Sequence, residues 1–180
     1  MPPWLQHVRS YQNKESKINS SRWIQLATVS PNNTPRVRTV VFRGWSDIYE
    51  MKIMTDKRSQ KYNELETNNN VEICWLFPKS RCQFRFRGKS MKVMDKETLY
   101  HWEQLNDKDK LMWNWPTPGE ILNNDKYNNL TAKTNSDQFK NFVLLKIDIY
   151  HVDQLILDDP RHRRRQWIRN TEWTEEQINP

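Results

Sequence analysis

Glycine is nearly missing from this chain, and that scarcity restricts its possible folds more than any residue present. The 180 residues hold three, Gly44, Gly88 and Gly119, where an ordinary chain carries roughly 7 %. Each stands more than 30 positions from the next, so a Gly-x-Gly-x-x-Gly turn and a Walker-type phosphate loop are both impossible. Classical Rossmann dinucleotide enzymes and P-loop NTPases are thereby excluded. Two cysteines, Cys74 and Cys82, are too few for a Cys-rich zinc module or a disulfide framework. The four histidines lie far apart and outside any HExxH pattern, so no metal site is expected. The longest apolar runs are four or five residues, too short to span a membrane. The start, MPPWLQHVRSYQNKES, lacks the apolar stretch of a signal peptide. The expectation is a cytoplasmic protein of one domain, with nine Trp, six Tyr and six Phe supplying most of the core bulk.

The pattern of apolar residues reads mainly as strands. Prolines open a short amphipathic helix over 2–16, with Trp4, Leu5, Val8 and Tyr11 at helical spacing. Strands are expected over 22–30, over 36–44 with Gly44 ending it, over 49–55, 71–77 and 82–93, and over 139–150. A helix follows Asp56 or Ser59 as N-cap and carries Tyr62 and Leu65 on one side. Residues 96–114 read as helical and 123–137 as an exposed loop, and the last residues, EWTEEQINP, as a half-turn. Strands arrive in runs joined by short turns, so the expected fold is a mainly β antiparallel barrel of six to eight strands with peripheral helices. One domain would fill 1–180, its core over about 20–95 and 139–170, with a helical and loop insertion over about 96–138.

Charge is concentrated. The formal net charge is +7, and arginines gather as Arg36, Arg38 and Arg43, as Arg85 and Arg87, and as Arg161 to Arg165. In RVRTVVFR the neighbours are Val, Thr and Phe, so that strand is at least half buried and each guanidinium needs an acceptor. A carboxylate would serve, and so would a bound phosphate, which suits the arginine fork. In CQFRFRGK alternation sets Gln83, Arg85 and Arg87 on one face and Phe84 and Phe86 on the other. The polar face meets either solvent or a polar ligand.

Taken in order, TPRVRTVVFRG, MTDKRSQKYNEL and CQFRFRGK resemble the pyridoxamine 5′-phosphate oxidase-like family of FMN-binding split barrels. That family carries Arg-x-Val-x-Leu-Lys on one strand, Tyr-Thr-x-x-x-Ser-x-Lys at the next strand-to-helix turn and Arg-Gln-Val-x-x-x-Gly on a later strand. Here Arg38 to Arg43 fill the first, Thr55, Ser59 and Lys61 the second, and Gln83 with Gly88 the third. The ending, with Trp173 seven residues before Pro180, is similar to the family's last strand. WNWPTPGE over 113–120 looks like the mark of a related but distinct branch. The resemblance implies FMN in a cleft between the subunits of a homodimer. It implies that Arg38 and Lys61 hold the phosphate, with Ser59 and Thr55 donating hydrogen bonds. Thr39, Val40 and Val41 would face the flavin, Arg43 would stand near flavin and substrate, and Gln83 would reach the ring from the other subunit. Counting back ten from Trp173 gives Arg163, or Arg165 on the same face, as the basic residue of the tail that reaches the flavin.

Several departures matter. Gln60 stands where the oxidase has a phosphate-binding arginine, Met54 replaces an aromatic, and His162 falls one residue early for the tail's Arg-x-His. The oxidase's middle Tyr/Arg/Ser substrate set has no clear counterpart in 96–137. The resemblance therefore implies an FMN-dependent oxidoreductase acting on a small molecule, with pyridoxamine phosphate not assured and no catalytic side chain nominated. A non-catalytic flavin-binding or sensing protein on the same fold is the alternative. Trp113 and Trp115 would either lid the flavin or sit in the core. The basic balance beside many tryptophans would also suit nucleic acid. However, no such motif appears and the basic residues fall on cofactor positions, so neither a nucleic-acid nor a membrane partner is expected.

Overall fold

The computed structural model describes residues 1–93, 95–122 and 136–180. Helix α1 (Pro3–Lys14) leads through a short 3₁₀ turn to β1 (Trp23–Val29), β2 (Pro35–Asp47) and β3 (Glu50–Asp56). Helix α2 (Gln60–Thr67) follows, then β4 (Asn70–Phe77) and β5 (Cys82–Lys92). Next come α3 (Asp95–Glu103), α4 (Asp107–Lys110), a 3₁₀ turn (Leu111–Asn114) and α5 (Ser136–Asn141). The long β6 (Phe142–Ile156), β7 (Arg163–Ile168) and β8 (Glu175–Ile178) complete the chain.

All eight strands belong to one antiparallel sheet in the order β3-β2-β1-β4-β5-β6-β7-β8, and a further β3–β6 pairing closes the first six into a barrel. Strand β6 is long because it changes partner along one edge. Residues 142–148 pair with β3, and residues 151–156 pair with β7. Its other edge lies on β5 from Leu145 to Ile156, with a bulge beside Arg87 and Gly88. Closure removes the exposed edges that an open sheet would leave.

Period-two alternation fills the barrel. Ile24, Leu26, Ile53, Ile73, Trp75, Phe84, Phe86 and Ile147 are fully buried and point inward. Helix α1 plugs one end, its buried Trp4 lying 5.6 to 6.0 Å from the rings of Trp45, Phe86 and Trp173. Outside the barrel a second apolar cluster joins Trp113, Phe142 and Leu144 to Trp102, Leu105 and Phe139. It packs α3, the second 3₁₀ turn and α5 onto the outer faces of β3 and β6.

Several expectations change. Gly44 does not end β2. Its φ of +112° lets the strand pass through irregular pairing between Phe42 and Asp47 and continue. Residues 96–114 are helical as expected, in two helices and a 3₁₀ turn, with Asn106 capping α4 by accepting from the Asp109 N–H. Residues 139–141 are the end of α5, and the strand expected over 139–150 runs instead over Phe142–Ile156. The last residues form β8 rather than a half-turn, because Glu175 to Ile178 pair with β7. The loop expected over 123–137 lies outside the described residues up to 135, and 136–137 begin α5.

Gly88 carries a testable consequence. A Cβ there would lie 2.7 Å from both the Asp148 carbonyl oxygen and Ile147 Cγ2, and a strand backbone cannot retreat. Gly88→Ala should cost about 1–3 kcal/mol as overpacking and lower the melting temperature by several degrees. A melt indistinguishable from wild type would contradict the close approach.

Candidate functional site

The residues singled out on β2 split between its two faces. Arg38, Val40 and Phe42 point into the barrel, while Thr39, Val41 and Arg43 point out. Arg38 and Arg43 thus approach one region from different sides. Arg38 Nη2 donates to Glu64 Oε2 on α2 at 2.7 Å, and Nη1 donates to Thr28 Oγ1 and more weakly to the Leu26 carbonyl. Glu64 is 4 % exposed, so a carboxylate already answers Arg38.

Beside it lies the turn that ends β3. Thr55 and Ser59 are buried, with their hydroxyls 3.4 Å apart, and Lys61 Nζ donates to Thr55 Oγ1 at 3.2 Å. Ser59 occupies the N-cap position of α2, but its side chain makes no capping bond. Its hydroxyl donates to the Asp56 carbonyl instead. The first N–H groups of α2 therefore have no side-chain cap at the end where the helix dipole favours an anion. Burial, with Arg38 close by, pushes the Lys61 ammonium below its ordinary value, against the pull of Asp56 and Glu64. A cation so placed is stabilised by any anion that enters.

An open cleft of about 270 Å³ runs along the outside of this turn. Thr39, Val40, Val41 and Arg43 form one wall, Thr55 and Lys61 one end, and Met112, Trp113 and Pro118 another wall. Arg43 forms no ion pair with any described residue, and its Nε is buried without a hydrogen-bond partner. Burial and nearby Arg22 push its guanidinium below the ordinary value, while Asp109 pulls the other way. Most arginines of the sheet contrast with it. Arg85 and Arg164 share Asp153, Arg163 meets Asp158, and Arg165 meets Glu175. The cleft therefore presents one anion-deficient cation at each end, Lys61 and Arg43, with hydroxyls beside the first and apolar walls between.

Three singled-out residues lie elsewhere. Gln83 is on β5, which the ring order β3-β2-β1-β4-β5-β6 sets across the barrel from β2. It stands on the outer face in register with Leu155. Arg163 pairs with Asp158, and Arg165 donates to Gln154 at 2.7 Å and to Glu175. None of the three reaches the cleft of its own chain. It is Arg164 that lies across Leu155 from Gln83, on the opposite face of β7 from Arg163 and Arg165.

Sequence reading left Trp113 and Trp115 undecided between lid and core. Trp113 is 5 % exposed and belongs to both the outer apolar cluster and the cleft wall, whereas Trp115 is 46 % exposed. Arg58, Met112 and Pro118 were missed. The only signal for Pro118, and for Met112 just before it, was the unusual WNWPTPGE run, whose Gly119 sits 3.7 Å from Gln60 Nε2, measured from the position a Cβ would take.

A closed six-stranded barrel with two added strands, and an anion-seeking cleft where the third strand turns into a helix, defines the FMN-binding split-barrel class. The family model described as the pyridoxamine 5′-phosphate oxidase FMN-binding domain matches residues 1–94. The chain belongs to that family, and its cofactor is FMN. A pyridoxamine 5′-phosphate oxidase-related, FMN-binding protein of known structure from Nostoc punctiforme is 31 % identical, with a TM-score of 0.87 over 100 % of this chain and 99 % of that one. Pyridoxine/pyridoxamine 5′-phosphate oxidase 2 of Arabidopsis thaliana is 28 % identical over 197 aligned positions, covering 99 % of this chain and 97 % of its own. PhzG from Burkholderia lata shares the fold, with a TM-score of 0.82 at 15 % identity over 98 % of this chain and 91 % of that one. Among the described residues no helix is long and apolar enough to cross a membrane, and no three His, Cys, Asp or Glu side chains are grouped to hold a metal.

Proposed function

We propose that this flavoprotein of oxidoreductase type works as a homodimer that oxidises a small anionic amine. Lys61, Arg38, Thr55 and Ser59 would hold the FMN phosphate, and Thr39, Val40 and Val41 would line the flavin ring. Bound FMN supplies the hydride acceptor. This chain's own residues bind and orient: Lys61 and the hydroxyls of Thr55 and Ser59 neutralise and fix a phosphate, and Arg43 takes the anionic group of the substrate. The carrying observation is the pair of cations without a carboxylate partner, Lys61 and Arg43, in one cleft.

The dimer reading draws on the sheet's outer face. The row Thr39–Gln25–Cys74–Arg85–Asp153–Gln166 crosses six strands in register, and Trp23, Val37 and Leu76 are each about half or more exposed beside it. A two-fold contact across that face would carry Gln83, and Arg164 rather than the expected Arg163 or Arg165, towards the partner's cleft. The name of the Arabidopsis relative supports an oxidase of pyridoxamine-type phosphates. The missing Tyr/Arg/Ser set argues for testing other anionic amines alongside.

The experiment is an absorption spectrum after FMN addition and gel filtration, with light scattering on the same peak. Stoichiometric bound flavin on a particle of about 44 kDa, twice the 22.0 kDa chain, is expected for a two-fold dimer. Amine-dependent bleaching of the flavin band would then establish turnover. Bound flavin that no amine reduces would favour the non-catalytic reading. A 22 kDa particle retaining FMN would overturn the dimer.

A further inference from the structure

Trp113 is held more firmly than a core tryptophan needs. Its ring packs 5.0 Å from Phe142 and 5.6 Å from Trp102 in the outer cluster, and this accounts for one side of the indole. Its other contacts lead to the turn that ends β3 and to the end of α5. The indole N–H donates to the Thr55 carbonyl at 3.4 Å. The Trp113 carbonyl accepts from Arg58 Nη2 at 3.3 Å and from Asn141 Nδ2 at 3.1 Å. Arg58 is itself fixed on Asp56 by bonds of 2.7 and 3.0 Å. Asp56, Thr55 and Trp113 all line the cleft, opposite Thr39 to Val41.

Packing alone would not place two donors from separate elements on one backbone carbonyl. Nor would it hold an aromatic ring at the edge of a cleft that faces two cations without carboxylate partners. Both features follow if the indole must keep a fixed position relative to whatever occupies the cleft. Trp115, two residues on, has none of these bonds to the turn and is half exposed.

We propose that Trp113 is a cofactor-contact residue, its indole touching the flavin ring, and that Arg58 is a positioning residue fixing that wall to the phosphate-holding turn. This rests on the reading of the cleft as the flavin site. An indole in contact with a flavin gives one electron to the light-excited ring and recovers it in the dark. Flavin emission is quenched, and nothing is consumed. The contact therefore has an optical signature that a purely structural tryptophan lacks.

The test measures the emission of FMN bound to the full chain, wild type against Trp113→Phe, Trp115→Phe and Arg58→Gln. Trp113→Phe should retain FMN and raise its emission several-fold, and Trp115→Phe should leave it unchanged. Arg58→Gln should raise emission to a lesser extent while FMN affinity shifts little, since Arg58 is spent on Asp56 rather than on phosphate. Retained FMN with emission as quenched as in wild type would overturn the role of Trp113. Should Trp113→Phe fail to fold, unchanged emission in Arg58→Gln overturns the proposal equally. FMN binding that survives Lys61→Ala and Arg43→Ala together would instead overturn the placement of the flavin in this cleft.

Discussion

Replacing Lys61 with alanine is expected to weaken FMN binding by about 10- to 100-fold while leaving the cofactor-free protein as stable as before. A charge-assisted hydrogen bond contributes about 1.5–3 kcal/mol, and each 1.4 kcal/mol is tenfold in affinity. Stability should not suffer because burial and Arg38 both work against the Lys61 charge in the folded chain. Its folded-state pKa is lowered, so the ammonium contributes nothing to folding that alanine would remove. Arg38→Ala separates the two roles. It strips Glu64, 4 % exposed, of its cation, and breaking a buried pair costs about 3–5 kcal/mol. Glu64→Gln added to Arg38→Ala should restore much of that loss without restoring FMN. The measurements are FMN titration by fluorescence and thermal melts of the cofactor-free variants. Wild-type affinity in Lys61→Ala would remove Lys61 from the phosphate site. A stable Arg38→Ala would show that the ion pair does not hold the turn.

How far the chain could be read in advance depends on the range of the information. Alternation in CQFRFRGK and VEICWLF is local, and the buried and outward faces of β4 and β5 follow it residue by residue. The extension of β2 past Gly44 depends on β3 and on a positive φ that a glycine permits but does not announce. The true span of β6 is set by three partners, the nearest of them β7 beyond a turn and the farthest, β3, almost a hundred residues back. β8 is four residues, mostly polar, and exists because β7 offers it an edge. The site divides in the same way. Thr55, Ser59 and Lys61 lie within one turn of chain and come together. Whether Arg38 faced a carboxylate or only a phosphate rested on Glu64, 26 residues away. Trp113 and Trp115 flank the same residue, Asn114. Only the 3₁₀ turn at Leu111–Asn114 sends one inward and leaves the other out.

Asp153→Asn should lower stability by about 2–3 kcal/mol near neutral pH, and the deficit should vanish in acid. Asp153 is 3 % exposed on the outer face of β6. It accepts from Arg85 at 3.0 Å and from Arg164 at 2.8 and 3.0 Å, thereby joining β5 to β7 across β6. Removing one member of a buried charge network costs up to about 3–5 kcal/mol. Both guanidinium groups here are about a third exposed and can turn to water, which sets the lower figure. The pH dependence has a definite sign. Burial pushes the carboxyl up, but hydrogen bonds and charge from Arg164 and Arg85 outweigh it and hold it below its ordinary 3.8. A carboxyl depressed in the folded state stabilises above its unfolded pKa and loses that contribution as pH falls through the folded one. Urea midpoints of wild type and Asp153→Asn should therefore differ equally at pH 7 and pH 5 and begin to approach each other as the pH falls below 3.8. A gap that does not narrow at all as the pH falls below 3.8 would mean that shape, rather than ionisation, makes Asp153 matter. The same residue lies in the row that the proposed dimer would cover. Freeing Arg85 and Arg164 on that face sets two unpaired cations against their own copies, so the variant should also dissociate to monomers at higher protein concentration than wild type.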